Sequence, residues 1–194
     1  MSVTNVLISG VGGQGVILSS EILALAAMAA GRDVKQGEFH GVAQRGGAVF
    51  SHVRFGERVH SPLAPRGQVD FLLALERLEA LRYAHFVKPG GTVIVNDHRV
   101  EPVRMGDDRP YPDEGNDFLR EKGFNVVVVK ATEKAIELGN YRAANVILLG
   151  TLASHLDIPQ AVWAETLEGR IPERLLELNR KAFAAGQGLA PSPV

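Results

Sequence analysis

Two short segments hold most of the residues whose types and spacing could do chemistry. The first, Gly10-Val11-Gly12-Gly13-Gln14-Gly15, has the G-x-G-x-x-G spacing and stands between an apolar run and a helical pattern, the setting that gives this motif meaning. Small residues let a backbone approach a phosphate, while open N–H groups and the dipole of the following helix face it. Gly10, Gly12, Gly13, Gln14 and Gly15 are therefore candidate anion-binding residues. Val16-Ile17 follow where an ATP-hydrolysing loop needs lysine and a hydroxyl residue, which disfavours that chemistry. The alternative is that the glycines serve only close packing of strand on helix.

The second segment runs from Gln36 to Arg54 and sets titratable and polar groups between glycines. Glu38, His40, Gln44, Arg45, Gly46 and Gly47 are candidates for a substrate or partner site. Glycine gives the backbone freedom, and Glu, His, Gln and Arg supply acceptors, a switchable base and a fixed cation. Buried unpaired, these side chains would be costly, so they are expected on a loop facing a ligand or a partner. The plainer reading is a surface loop whose His40 and Arg45 bond backbone carbonyls. Glu38 also stands roughly where a dinucleotide-binding fold keeps its ribose-binding acid, about 20 positions beyond the turn, though somewhat late.

Other residues carry less. His52 and His60 would approach each other across a hairpin at residues 55–59, but no acidic pair completes a metal set, and no metal is assigned. Ser9 and Ser51 lack the G-x-S-x-G setting of a hydrolase nucleophile. Asn145 is read as a helix cap, or else as a residue facing the site.

The elements that position these groups follow from periodicity. Residues 3–9 are branched and apolar, as in a buried parallel strand, and residues 16–30 form a helix closed by Gly31. Residues 33–36 are extended, 37–47 a loop, and 48–55 a half-exposed strand that reverses into a short partner. Strands are expected at 69–75, 92–96 and 125–129, with helices at 78–86 and 117–122 between them. Residues 98–112 are read as an irregular excursion. Helices then accumulate: 133–138 with Thr132 as N-cap, 143–155, 160–168 and 172–185. The expected fold is α/β, a Rossmann-like three-layer domain with a mixed, mostly parallel sheet and a helical C-terminal flank. Residues 1–185 are read as one domain and 186–194 as a flexible tail. Leu156, Ile158, Val162, Trp163, Leu167, Ile171, Leu175, Leu176 and Leu178 need burial, in the core or, as the favoured alternative, against a partner subunit.

Composition narrows the classes. With 21 basic against 22 acidic residues there is no field to hold a nucleic-acid backbone. The sequence has no cysteine, so a conventional iron–sulfur cluster or a disulfide is not expected on this chain. The apolar run 22–30 is far shorter than the roughly 20 residues of a membrane span. Residues 1–5 lead straight into a strand without the features of a secretory signal, and a cytoplasmic location is the expectation.

Taken with the glycine turn, the segment 36–54 closely resembles the gamma-type domain of pyruvate and other 2-oxoacid:ferredoxin oxidoreductases, and most of all the small subunit of the indolepyruvate type. Ser61-Pro62-Leu63, residues 76–81, Pro89-Gly90-Gly91, Tyr111-Pro112 and the stretch near Asn145 extend the resemblance through about Leu152. Ala48 and Val42 depart from the hydroxyl residue and the methionine that many relatives carry. The resemblance implies oxidative decarboxylation of an aryl 2-oxoacid to an acyl-coenzyme A, with ferredoxin as electron acceptor. Thiamine diphosphate and iron–sulfur clusters would belong to a large catalytic partner subunit, and coenzyme A would be a co-substrate of the complex, with the glycine turn a candidate to meet it. This chain would bind no redox cofactor and be inactive alone, with self-association open to it when isolated. The alternatives are a gamma subunit for pyruvate or 2-ketoisovalerate, or a nucleotide-binding regulatory module.

Overall fold

The computed structural model describes residues 3–40, 47–101 and 110–190. The apolar run near the start forms β1 (Thr4–Val11), which is buried on both faces along Asn5–Gly10 and lies near the sheet centre. The glycine turn leads into α1 (Val16–Ala29), and the chain returns through β2 (Asp33–His40) and β3 (Ala48–Gly56). Next come β4 (Val69–Ala74), α2 (Arg77–Tyr83) and β5 (Val87–Asn96), followed by α3 (Gly115–Glu121) and β6 (Asn125–Val129). Four helices close the chain: α4 (Ala131–Glu137), α5 (Ala144–Ala153), α6 (Gln160–Arg170) and α7 (Glu173–Leu189).

The six strands are ordered β2-β3-β1-β4-β5-β6. β1, β4, β5 and β6 pair in parallel, while β3 runs antiparallel to both β1 and β2. The sheet is thus mixed and mostly parallel, as expected. One face packs Val6 and Ile8 against α1, α5, α6 and α7, with Trp163 and Phe183 among the buried side chains. The other packs Leu7, Leu72 and Val93 against Ala80, Tyr83 and Leu119 of α2 and α3. Two apolar faces covered by helices make the three layers.

Several boundaries differ from the sequence reading. β2 continues to His40, so Glu38 and His40 sit on a strand and not on a loop. An edge strand needs only a ladder on one side, and Glu38 pairs with Ser51 and His40 with Val49 across β3. The reversal at 55–59 forms no further strand, because β2 and β1 already occupy both edges of β3. Val59 is buried, yet its amide donates to Asp33 Oδ2 at 2.7 Å. His52 and His60 therefore do not meet across a hairpin. β5 begins at Val87, with a register shift between the Val69–Val87 and Phe71–Thr92 pairs that accommodates Pro89-Gly90-Gly91. α7 runs to Leu189 where the sequence reading ended the helix at residue 185, and Gly186 is buried in it. The C-terminal apolar residues pack within the chain: Trp163, Leu167 and Ile171 are core, with Leu175, Leu176 and Leu178 against it. Core burial, not a partner surface, accounts for them.

His52 points into the face away from α1 and is 2% exposed, with Phe39, Phe50 and Phe86 ring centroids 6.1, 5.8 and 5.4 Å away. Burial, then the nearby Arg54 cation, pushes its pKa down to about 4. A base whose folded-state pKa lies below its unfolded value of about 6.5 takes up protons preferentially on unfolding, so stability falls as pH drops from 6.5 toward 4. The full shift corresponds to roughly 3 kcal/mol. Chemical denaturation across that range should show this loss, and His52→Phe should flatten it. An equally steep acid limb in the variant would show that other groups cause it.

Candidate functional site

A cavity of about 780 Å³ opens where the C-terminal ends of the parallel strands meet the helical flank. In an open α/β sheet this is the crevice where ligands bind, beside the point at which the strand order reverses, here between β1 and β4. Gly13, Gln14 and Gly15 form one side of it, with Leu75 just after β4, Asn96 at the end of β5 and His98 beyond it. Asn145 and Leu148 of α5 line it as well, together with Arg174, Leu178 and Asn179 of α7.

The turn is built by its own hydrogen bonds. Val11 N–H donates to Gln14 Oε1 at 2.8 Å, and Gln14 N–H donates to Val11 O at 3.0 Å. Gly15, the N-cap of α1, has φ 89° and ψ 26°, a left-handed conformation that glycine adopts without steric cost. A Cβ there would also lie 2.4 Å from Asn145 Nδ2. α1 has no side-chain cap, so its first-turn amides are not satisfied from within the turn. A Cβ on Gly10 would come 2.9 Å from both Gln14 Oε1 and Val16 Cγ2, so that glycine serves packing. Gly12 spends its N–H on Gly47 O at 2.9 Å, which seats the end of the second motif on the first.

Asn145 is not the cap of its own helix, since Ala143 holds that place. It is buried and donates from Nδ2 to Gly15 O at 3.4 Å, tying α5 to the glycine turn. Nor does Thr132 cap α4, whose N-cap is Lys130. Asn96, at the end of β5, takes over that work. Its Oδ1 accepts from the amides of Ala131 and Thr132 at 3.1 and 3.3 Å, while Nδ2 donates to Leu75 O at 3.2 Å and Thr132 Oγ1 at 2.9 Å. One carboxamide thereby fixes the ends of β4 and β5 and the start of α4 around the cavity.

Beside the cavity, buried Glu76 caps α2 through Glu79 N–H at 3.0 Å and also accepts from the Tyr111 hydroxyl. Burial and that carboxylate push the Tyr111 phenol well up from its ordinary pKa. Burial likewise raises Glu79, against the pull of Arg82. These groups brace the end of β4 and do not line the cavity.

The sequence-derived candidates thus divide. Gly13, Gln14 and Gly15 share the cavity, with Gly10 and Gly12 behind them. Glu38 and His40 are exposed on β2 and lie outside it. Glu38 Oε1 accepts from Gln36 Nε2, which also bonds Ser20 Oγ of α1, so no acid from β2 reaches the glycine turn as a ribose ligand would. Gly47 supports the turn through its carbonyl, while Gln44, Arg45 and Gly46 lie outside the described residues. Among the described residues no group of three or more His, Cys, Asp or Glu side chains is placed to hold a metal ion, and no helix is long and apolar enough to cross a membrane. The sequence reading does not single out Asn96, Arg142, Arg174 or Asn179, and its Thr132 cap leaves the start of α4 without need of Asn96.

A family model described as pyruvate ferredoxin/flavodoxin oxidoreductase matches residues 5–188. The chain belongs to that family. The indolepyruvate oxidoreductase subunit IorB of Archaeoglobus fulgidus is 39% identical over 193 residues, covering 97% of this chain and 96% of that one. Among solved structures, the gamma subunit of a keto/oxoacid ferredoxin oxidoreductase from Geobacter sulfurreducens superposes with a TM-score of 0.74 at 28% identity, over 96% and 98% of the two chains. The fold also recurs, at 22% identity and a TM-score of 0.76, in a 2-oxoglutarate:ferredoxin oxidoreductase from Magnetococcus marinus with 2-oxoglutarate, coenzyme A and succinyl-CoA bound, where this whole chain matches 32% of that one. The gamma-type resemblance and the mixed α/β sheet read from sequence are borne out.

Proposed function

We propose that this chain is the small, cluster-free subunit of an indolepyruvate:ferredoxin oxidoreductase, with residues 1–185 acting as one gamma-type domain. The near-complete overlap with a relative named for indolepyruvate supports this reading most strongly. In the reaction the 2-oxoacid loses its carboxylate as carbon dioxide, its acyl carbon is joined to the sulfur of coenzyme A, and two electrons pass to ferredoxin. Thiamine diphosphate, which stabilises the carbanion left by decarboxylation, and the electron-carrying clusters are assigned to a large partner subunit. A sequence without cysteine suits that division of labour. The complex is placed in the cytoplasm.

This chain contributes binding surface. The Gly13–Gly15 turn and the first-turn amides of α1 offer a seat for an anion. Glu38 and His40 on β2, with Gln44, Arg45, Gly46 and Gly47 beyond them, are assigned to contact with the partner or its substrate. The assembled complex should be tested with a panel of 2-oxoacids. Indolepyruvate and phenylpyruvate are expected to give kcat/KM about tenfold or more above pyruvate and 2-ketoisovalerate, a difference of roughly 1.4 kcal/mol. Preference for either aliphatic acid would assign the chain to another oxoacid.

A further inference from the structure

Among the described residues, β2 ends the sheet with an open edge. It pairs with β3 through all eight of its residues without a bulge, and no backbone hydrogen bond from a described residue reaches its outer side. Such an edge presents unpaired N–H and C=O groups to any extended segment, and proteins usually blunt it with proline, a bulge or an outward lysine. β2 has no proline, and its one lysine, Lys35, is folded back onto Asp33 Oδ1 at 2.9 Å. β6, at the opposite edge, is shorter, with five residues.

Exposed apolar surface collects at the same edge. Of the ten large apolar side chains exposed among the described residues, five lie on β2 or on segments packed against its two faces. Ile17, Leu25 and Met28 belong to α1, which packs on β2 and is tied to it where Gln36 Nε2 donates to Ser20 Oγ. Phe39 and Leu63 lie on the other face, where Phe39 stacks on Phe50 and a Cβ at Gly37 would sit 3.5 Å from Leu63 Cδ2 and from Phe39 Cε2. Apolar surface on both sides of an open strand calls for a cover that continues sheet and helices together.

The side chains of β2 fit a second copy of the same strand. When two identical strands pair antiparallel, the two-fold axis must pass through one residue opposite its own copy, because successive pairs alternate between hydrogen-bonded and non-hydrogen-bonded. A centre at Gly37 sets Gln36 opposite Glu38, Lys35 opposite Phe39 and Val34 opposite His40. An amide then meets a carboxylate, a cation meets an aromatic ring, and no like charges face each other. A centre at Gln36 would set Asp33 on Phe39 and Glu38 on Val34; centres at Lys35 and Glu38 would oppose two ammonium groups and two carboxylates, and centres nearer the ends shorten the ladder. We propose that two copies of this chain pair antiparallel through β2 about a two-fold axis at Gly37, which continues the sheet and sets the two α1 helices side by side on one face. The pairing is independent of the proposed reaction, and the rival occupant of the edge is the catalytic subunit.

The chain has no cysteine, so a single one introduced at the axis can cross-link only to its own copy. Gly37→Cys places two thiols opposite each other with Cα atoms about 4.5–5.5 Å apart, within reach of a disulfide. The new Cβ meets its neighbours at 3.4 Å or more, an ordinary contact. Mild oxidation should cross-link this variant both as the isolated chain and in the co-expressed complex, whereas Val128→Cys on β6 should stay uncross-linked. Sedimentation of the unaltered chain should show a monomer–dimer equilibrium. Phe39→Lys, which sets two cations opposite each other, should weaken that equilibrium about tenfold or more, and Leu63→Asp, on an exposed side chain beside the axis, should weaken it as well if the first variant fails to fold. A chain that stays monomeric and does not cross-link through Gly37→Cys, or that cross-links equally through Val128→Cys, would overturn the proposal. A cross-link absent from the complex would overturn it too and give the edge to the catalytic subunit. Ferredoxin reduction by the complex is a separate readout and bears on the proposed function alone.

Discussion

Gly186→Ala should destabilise the chain by about 3 kcal/mol or more, near the upper end for overpacking a core. A Cβ at Gly186 would lie 1.9 Å from Ile147 O and 2.8 Å from its carbonyl carbon, both backbone atoms that no rotamer change can move. The contact is reciprocal, because a Cβ at Gly150 would lie 2.1 Å from Phe183 O. α5 and α7 thus approach backbone to backbone, and Thr151 Oγ1 seals the approach by donating to Gly186 O at 2.9 Å. Gly150→Ala should cost a similar amount. Gly169→Ala, in α6 with nothing within 4 Å of its new methyl, should instead gain up to about 1 kcal/mol from helix propensity. Urea midpoints at unchanged m-value would measure all three. Wild-type stability of both Gly150→Ala and Gly186→Ala would contradict the close packing of α5 on α7.

Asn96→Ala is expected to cost about 3 kcal/mol, because the carboxamide makes four hydrogen bonds at 2% exposure and its loss strands buried partners. Asn96→Asp keeps the acceptor for the Ala131 and Thr132 amides but loses both donations and brings a carboxylate toward Leu75 O. It should therefore be destabilised as well, and not rescue the fold. Hydrogen exchange would locate the effect, with protection lost first at the start of α4. A variant with normal stability and normal exchange there would show that Asn96 does not hold the junction.

What the sequence disclosed followed from local signals. The branched run of β1, the glycine turn and the Leu- and Ala-rich α1 adjoin one another, and each constrains the next, so this unit is readable, including the residues Gly13, Gln14 and Gly15 that line the cavity. The four valines of β6 and the apolar run of α5, which is buried without a break from Asn145 to Ala153, are equally plain. Gly37, Glu38 and His40 read in sequence as a loop, whereas an edge strand such as β2 tolerates polar side chains on its open side. The roles of Asn96, Gly150 and Gly186 depend on partners far along the chain or on another helix. A lone asparagine ending a strand, or a glycine within a helix, carries no local mark of such a partner. Arg142 and Arg174 give no signal for the same reason: that they line a cavity shows only once its other walls are known.

In the proposed complex this chain completes an oxidoreductase whose redox centres lie on another subunit. Anaerobic reduction of ferredoxin by indolepyruvate and coenzyme A, measured with this chain alone, the large subunit alone and the two co-expressed, tests that division directly. Sustained reduction by the pair, with at least about a hundredfold less from either subunit alone, is the predicted result. Full activity of this chain alone, or of the large subunit without it, would contradict the account.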